Sequence, residues 1–457
     1  MCSSDLRTMT NLVGRTLYRL GERLPGQVSM LGEDGCAATH PARVARFANP
    51  WRVVAGAVAG LTVCNGPVLF FTSGVFLKPI AADMQWQRST VSFALSLATF
   101  LSALATPILG RMMDRWGIRA VSLPGLPVFA ASLGMLALSP GSPAAFIILA
   151  ALAGVASTVQ APLPYAKAIS AWFDDRRGLA LGIAMTGVGL GAIIVPQIAR
   201  ALIERVGWRG AYVGLGALTL AVAFSAVALT IREPDARVER GQARATLDPR
   251  PGVTAREAAR SAQFWLMAGV FLLAGAAIMG ANAHIVPLLT DRGLTPVAAT
   301  GIFGVMGLST LVVRPFVGLL LDRVFAPQVA AAFFLAPLAG LPLLASGSGL
   351  SPAIGAALLG LALGAEIDLI AFLTTRYLGQ RAFGEIYGYM FMAFLLGSSV
   401  GGFSADVSFD RLGSYTPALI GYAGALVGAA FLVNRLGPYV YQPQPLIGPE
   451  LAPRPTG

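Results

Sequence analysis

The chain has 457 residues, 55% hydrophobic and only 12% charged, with a mean hydropathy of +0.69. Soluble globular domains carry about 25% charged residues, so this composition excludes a chain built around a water-exposed surface. The formal charge of +11 sits in short loops between apolar runs, which is a topology signal and not a nucleic-acid face, and Cys2, Cys36 and Cys64 have no spacing for a disulfide framework.

Residues 1–50 read as a polar, poorly ordered cytoplasmic tail, with no apolar core of a signal peptide before residue 52. Apolar runs follow at 52–77, 90–110, 119–139, 144–168, 178–203 and 211–231. After a charged linker at 232–263 they resume at 264–289, 297–320, 328–347, 352–375, 384–405 and 415–436, and a Pro-rich tail closes the chain at 438–457. Each run can cross a hydrocarbon layer of about 30 Å. In lipid every backbone N–H and C=O must be bonded within its own segment, so the runs are predicted as helices. They lack the alternation of barrel strands. The fold class expected is an all-α membrane protein of twelve transmembrane helices. They form two six-helix pseudo-repeat bundles, 51–231 and 264–437.

Lys and Arg set the orientation. With both termini in the cytoplasm, of 33 basic residues only Lys78, Arg88, Arg200, Arg205, Arg209, Arg292 and Arg411 fall outside, and Lys167 and Arg314 fall within spans. In the linker, Thr254 and Glu257 have capping-box spacing, which predicts a short surface helix near 253–261.

The halves repeat. Gly110-Arg111-Met112-Met113-Asp114-Arg115-Trp116-Gly117-Ile118-Arg119 follows the second run, and Gly318-Leu319-Leu320-Leu321-Asp322-Arg323 follows the eighth. Gly182, Gly191, Val195 and Pro196 in the fifth run are matched by Gly388, Gly397, Gly401 and Gly402 in the eleventh. Small residues at such spacing are the ordinary means of close helix packing in membranes. Their recurrence at a near-constant offset is what predicts duplication.

Gly110, Asp114, Arg115, Gly117 and Arg119 match the loop G-x-x-x-D-R-x-G-x-R, and with twelve spans around it the chain resembles the major facilitator superfamily. Gly74-Val75-Phe76-Leu77-Lys78-Pro79-Ile80, Trp172-Phe173 with Arg176-Arg177-Gly178, and Gly364-Ala365-Glu366-Ile367-Asp368-Leu369 resemble bacterial members of the monocarboxylate transporter group. The resemblance implies a gating role for the loop residues, Asp322 and Arg323 included. It implies alternating access by two rocking bundles and a small organic anion, a monocarboxylate, as substrate. The chain departs from the animal-type pattern in three places. Phe71 stands where those members carry a Lys, Thr310 where they carry an Asp four residues before the Arg of span eight, and Asn65-Gly66 where they carry an acid and Gly.

Arg314 is the leading candidate for substrate binding. A charge within a span costs on the order of 2.5–3.5 kcal/mol on insertion scales, and a guanidinium matches a carboxylate with two hydrogen bonds. The alternative is an interhelical ion pair. Glu366 and Asp368 lie deep in span ten and are the candidates for proton coupling; about 200° apart on the helix, both cannot face one cavity. Asn65 precedes Gly66-Pro67, which breaks span one, and broken helices line transporter sites. Phe71, Gln160, Tyr165, Lys167, Asn282 and His284 complete the candidate binding set. Each also has a structural reading: snorkelling for Lys167, and a hydrogen-bond partner for His284.

No His, Cys or carboxylate cluster has metal spacing, no cofactor motif is present, and no phosphate-binding loop offers ATP drive. The expectation is a secondary transporter, not an enzyme, acting as a monomer in the cytoplasmic (inner) membrane, with the bilayer and the solute as its partners and a proton as the coupling ion the helices could serve. Transport of another small organic solute is the alternative within the class. A non-transporting sensor is the alternative outside it, disfavoured because the segment after span twelve is too short for an output domain.

Overall fold

The computed structural model describes residues 50–231 and 251–441, apart from 175, 347 and 348. All but the last residue of the expected tail at 1–50, most of the tail at 438–457 and the first part of the linker therefore fall outside the described residues. Among the described residues, eleven helices are long and apolar enough to cross a membrane, the longest running Arg177–Leu229 over 53 residues. At 1.5 Å per residue that is about 80 Å, far more than one bilayer. Its backbone leaves helical geometry at Gly207 (φ 72, ψ 171), a conformation that glycine adopts without a Cβ penalty. Gly207 thus turns one helix into spans five and six, which makes twelve.

Two spans are broken. In span one the helix Trp51–Thr62 ends before Asn65, a π-helical turn covers Gly66–Phe70, and a second helix runs Ser73–Met84. Pro67 explains the break, since it lacks an N–H and its ring crowds the preceding turn. Span four, expected as one run at 144–168, consists of Pro143–Ser157, a 3-10 turn Thr158–Gln160 and Leu163–Trp172. Pro162 and Pro164 forbid a continuous ladder there for the same reason.

Each half is held by glycines against backbone. In the first, a Cβ at Gly187 would lie 2.3 Å from the Val58 oxygen and one at Gly191 2.1 Å from the Thr62 oxygen, so span five lies directly on span one. In the second, Gly397 and Gly401 stand in the same relation, 2.0 Å each, to the oxygens of Leu272 and Ala276 on span seven. Without a hydrophobic drive between helices in lipid, such approach is what dispersion forces need. Between the halves, span two packs on span eleven and span five on span eight. On the face opposite the loops, the end of the helix Ser73–Met84 is tied to Gly207's neighbours. Trp208 Nε1 donates to Asp83 at 2.9 Å and Arg209 pairs with the same carboxylate. The indole N–H, then the guanidinium, hold the Asp83 carboxyl below its usual range.

The described end of the linker does carry the expected cap. Glu257 N donates to Thr254 Oγ1 at 3.3 Å and Thr254 N to Glu257 Oε2 at 2.8 Å, opening a helix confined to Ala255–Ala258. Just before it, Gly252 forms an antiparallel bridge with Gly379 in the turn between spans ten and eleven.

Candidate functional site

The loop motif ends span two, Arg88–Trp116, and its acid reaches the other half. Asp114 Oδ1 and Oδ2 accept the backbone N–H groups of Gly384 and Glu385, each at 2.9 Å. These open span eleven, Phe383–Leu412. The first N–H groups of a helix have no partner within it and carry partial positive charge, so a carboxylate there is doubly favoured. Lys167 completes the cluster, 2.9 Å from Asp114 and donating to the Met113 oxygen at 2.6 Å. Approach this close requires glycine: a Cβ on Gly110 would lie 2.0 Å from the Gly384 oxygen. Arg119 donates to the Ala228 oxygen at 3.0 Å, tying the motif to the end of span six. Gly117 takes φ 88 between spans two and three.

The weaker copy does the same in reverse. Asp322, near the end of span eight (Pro296–Arg323), accepts from Gly178 N at 2.7 Å and Leu179 N at 2.9 Å, at the start of span five. A Cβ on Gly318 would meet the Gly178 oxygen at 2.2 Å. The basic groups around it are Arg177 and Arg376. Arg177 bonds Asp174 at 3.1 Å, and Arg376 reaches Asp174 at 3.5 Å and its backbone oxygen at 3.3 Å from the other half. Gln380 crosses likewise, donating to the Ser170 oxygen at 3.1 Å. The two halves are thus latched twice on the face that carries the loops.

Deeper, Arg314 lies buried on span eight, 4.0 Å from Asp368 on span ten (Ser351–Tyr377). That is too long for a hydrogen bond. Arg314 Nε and Nη1, both oxygens of Asp368, Glu366 Oε2 and the Tyr387 hydroxyl are buried without a hydrogen-bond partner. Cys64, at the break in span one, and Tyr387, on span eleven, lie close enough to feel the Arg314 charge. Thr310, at the position where the resembled pattern has an acid, bonds the Met306 and Gly360 oxygens at 2.9 and 3.1 Å. The acid facing Arg314 therefore comes from span ten. Glu366 is buried as well, so the helix encloses both acids, and Asp368 is the one that lies 4.0 Å from the arginine. A bonded pair inside protein satisfies its lone pairs and protons. This one is a cation and an acid held near each other with open bonding positions on both, the arrangement a polar ligand can complete.

The other candidates separate. Asn65 is buried at the break in span one, and Asn282 is held inside span seven with its Oδ1 unpartnered. Phe71 is 42% exposed. Gln160 donates to the Gly60 oxygen at 2.8 Å and accepts from Tyr165 at 3.0 Å, so these two bridge span four to span one. Lys167 stands at the latch, where the break in span four brings its end to Met113 and Asp114. His284 bonds Asp406 at 2.9 Å and faces the Gly280 oxygen at 3.0 Å, tying spans seven and eleven away from the centre. Sequence reasoning passed over Tyr387, Cys64, Asp174, Arg376 and Gln380. For Arg376 a signal existed, since it occupies on span ten the place Lys167 holds on span four.

The family model of the Major Facilitator Superfamily matches residues 58–402. The MFS-type transporter YhjX of Escherichia coli (strain K12) is 23% identical, over 72% of this chain and 81% of its own length. Monocarboxylate transporter 11 of Mus musculus is 25% identical, over 86% of this chain and 87% of its own. Among solved structures, the E. coli fucose:proton symporter FucP superposes with a TM-score of 0.66 at 12% identity, covering 86% of this chain and 99% of that one. The human organic anion transporter MFSD10 gives 0.64 at 16% identity, covering 84% and 99%.

Proposed function

The chain belongs to the Major Facilitator Superfamily, a multi-pass membrane transporter of small solutes, and on that premise we propose that it moves a small monocarboxylate anion across the cytoplasmic membrane by alternating access, in symport with a proton. The observation that carries this reading is the buried Arg314–Asp368 pair at 4.0 Å with bonding positions open on both partners. A guanidinium presents a planar fork that two carboxylate oxygens fit, and it keeps its charge at every relevant pH. Asp368 is its counter-ion while ionised. A proton taken by Asp368 cancels that charge, and Arg314 then turns to the solute's carboxylate. The anion and the proton are in this way bound together, because either alone leaves the buried cluster with unbalanced charge. The latches at Asp114 and Asp322 hold the loop face closed while the solute enters from the opposite face. Their release lets the halves rock about the centre. The distribution of Lys and Arg supports assigning the loop face to the cytoplasm.

The test is calorimetric titration of purified protein with short monocarboxylates, wild type against Arg314→Lys. An ammonium is a point charge without the fork, so the variant should bind at least about 30-fold more weakly, the loss of roughly 2 kcal/mol or more from one charge-assisted contact. Equal affinity in the two proteins moves Arg314 into a purely structural ion pair. Asp368→Asn separates the coupling: it should abolish pH-gradient-driven uptake into vesicles and keep solute exchange. Intact gradient-driven uptake in that variant removes the proton from this residue.

A further inference from the structure

Span two presents two different faces. Phe93, Phe100, Leu104 and Ile108 recur at helical spacing and are all exposed, the last by 65%; this is a lipid-facing stripe. About 100° around the helix run Ser92, Ser96, Thr99, Ala103, Thr106 and Gly110. At the loop end this second face meets span eleven: Gly110 abuts Gly384, and a Cβ on Gly388 would lie 2.6 Å from the Pro107 Cα. Moving away from the loops, its residues pass from buried Gly110, Thr106 and Ala103 to half-buried Thr99 and exposed Ser96 and Ser92. A face that touches the other half at one end, and is hydroxyl-bearing and exposed at the other, lines the cleft between the halves.

Between this stretch and span one lies an open cavity of about 200 Å³, lined by Leu69, Phe70, Ser73, Gly74 and Leu77 across from Ser92, Leu95, Ser96 and Thr99. Among the described residues, no charged side chain lines it. Ser73 donates to the Phe70 oxygen at 2.6 Å and Thr99 to the Leu95 oxygen at 3.0 Å, so both hydroxyl protons are committed and their oxygens are left as acceptors. Leu69 to Ser73 lie about 6–12 Å of helical rise beyond Asn65, whose neighbour Cys64 feels the Arg314 charge.

We propose that this cavity is the second subsite of the transport pathway and that it selects the far end of the solute: an uncharged group with a hydrogen to donate, on a chain whose carboxylate is held by Arg314. The substrate class is then a hydroxylated monocarboxylate, with Leu69, Phe70, Leu77 and Leu95 covering its methylene groups. A dicarboxylate is disfavoured, because its second charge would leave water for a lining that, among the described residues, offers no cation. The assignment rests on the carboxylate reading of Arg314.

The test uses three acids of one length, 6-hydroxyhexanoate, hexanoate and adipate, titrated into the full chain in nanodiscs. The hydroxy acid should bind about 3- to 10-fold tighter than hexanoate, the span of one hydrogen bond, and adipate at least about 10-fold more weakly than hexanoate. In Ser73→Ala/Ser92→Ala/Ser96→Ala/Thr99→Val the ratio of the first two should fall to about one. An unchanged ratio in that variant, or adipate binding as well as hexanoate, overturns the subsite. A second measurement separates it from the role of Arg314. Ser96→Cys, in a chain carrying Cys2→Ser, Cys36→Ser and Cys64→Ser, should react with an impermeant thiol reagent, and 6-hydroxyhexanoate should slow that reaction while saturating acetate leaves it unchanged. Slowing by both acids or by neither overturns the subsite whatever Arg314→Lys does, whereas selective slowing together with an Arg314→Lys variant that binds acetate normally keeps the cavity and discards the arginine.

Discussion

The two latches on the loop face use one backbone device and two different charge arrangements. At each, a carboxylate at the end of one span accepts two consecutive N–H groups at the start of a span in the other half, and a glycine pair lets the backbones touch. The cations differ. Lys167 sits in the same half as Asp114 and pairs with it at 2.9 Å. Arg376, in the corresponding place on span ten, turns from Asp322 to Asp174 in the other half. The ion pair of the first latch, Lys167 with Asp114, lies within one half and its backbone bonds cross, while the second latch crosses by backbone bonds and by charge. What duplication has preserved is the helix-end geometry, and the side-chain electrostatics around it have diverged.

The largest effects should come from the part the latches share. Gly110→Val and Gly318→Val each drive a side chain into a backbone oxygen, at 2.0 and 2.2 Å from the Cβ respectively. Backbone cannot yield as a flexible side chain does, so the halves must separate, at a cost of about 3 kcal/mol or more by analogy with severe overpacking. Ser170 is buried in the latch region, and a Ser170→Cys reporter in a chain whose Cys2, Cys36 and Cys64 are replaced by Ser should go from protected to readily labelled in both variants. Labelling in one variant alone would show that only one latch closes this face.

A difference should appear at the acids. Asp322→Asn weakens two charge-assisted bonds, worth roughly 1.5–3 kcal/mol together with their geometry kept. Asp114→Asn does that and also removes the carboxylate Lys167 faces in a buried setting, where breaking a pair costs about 3–5 kcal/mol. Asp114→Asn should therefore open the loop face at least about 100-fold more than Asp322→Asn, read by the same reporter. Adding Lys167→Met to Asp114→Asn should recover part of the loss, because an apolar side chain leaves no charge behind. Equal opening by the two single variants would mean that the lysine contributes nothing to the first latch.

The fold was legible because its signals are local. Run length, loop charge and the repeated Gly-Asp loop each depend on a short window, and they place the spans, the halves and the loop motif. The break in span four was not read, although Pro162 and Pro164 stood in the sequence, because prolines are tolerated inside other spans here, such as Pro107 and Pro315. Arg314, Glu366 and Asp368 were visible as charges in apolar surroundings. That Asp368 faces Arg314 was not, because it depends on the relative rotation of spans eight and ten. The same limit applies to Lys167, whose partner is set by where the broken end of span four points. The cavity-lining serines were passed over because hydroxyls within a span are ordinary until the face they occupy is known.

The smallest expected effect tests how the second latch is supported. Arg376 packs over the rings of Phe372 and Tyr439, 5.2 and 6.0 Å from its Cζ. Its backbone oxygen accepts from Tyr441 N at 2.9 Å, and the Tyr439 hydroxyl accepts from Ala326 N at 2.7 Å. On the other side of the same turn, Gln380 N donates to the Pro251 oxygen at 2.8 Å. The segment after span twelve and the end of the linker thus grip the turn from which Arg376 and Gln380 cross to the first half. Tyr439→Ala removes a cation–π contact of about 0.5–1 kcal/mol, so it should raise Ser170→Cys labelling only about 2- to 5-fold. If Tyr439 acts through Arg376, adding Tyr439→Ala to Arg376→Met should change nothing further, whereas adding it to Asp114→Asn should multiply the two effects, as for sites without shared partners. Multiplication with Arg376→Met would mean that the tyrosine steadies the loop face by another route, and the two latches would then differ in their acids and cations but not in their support.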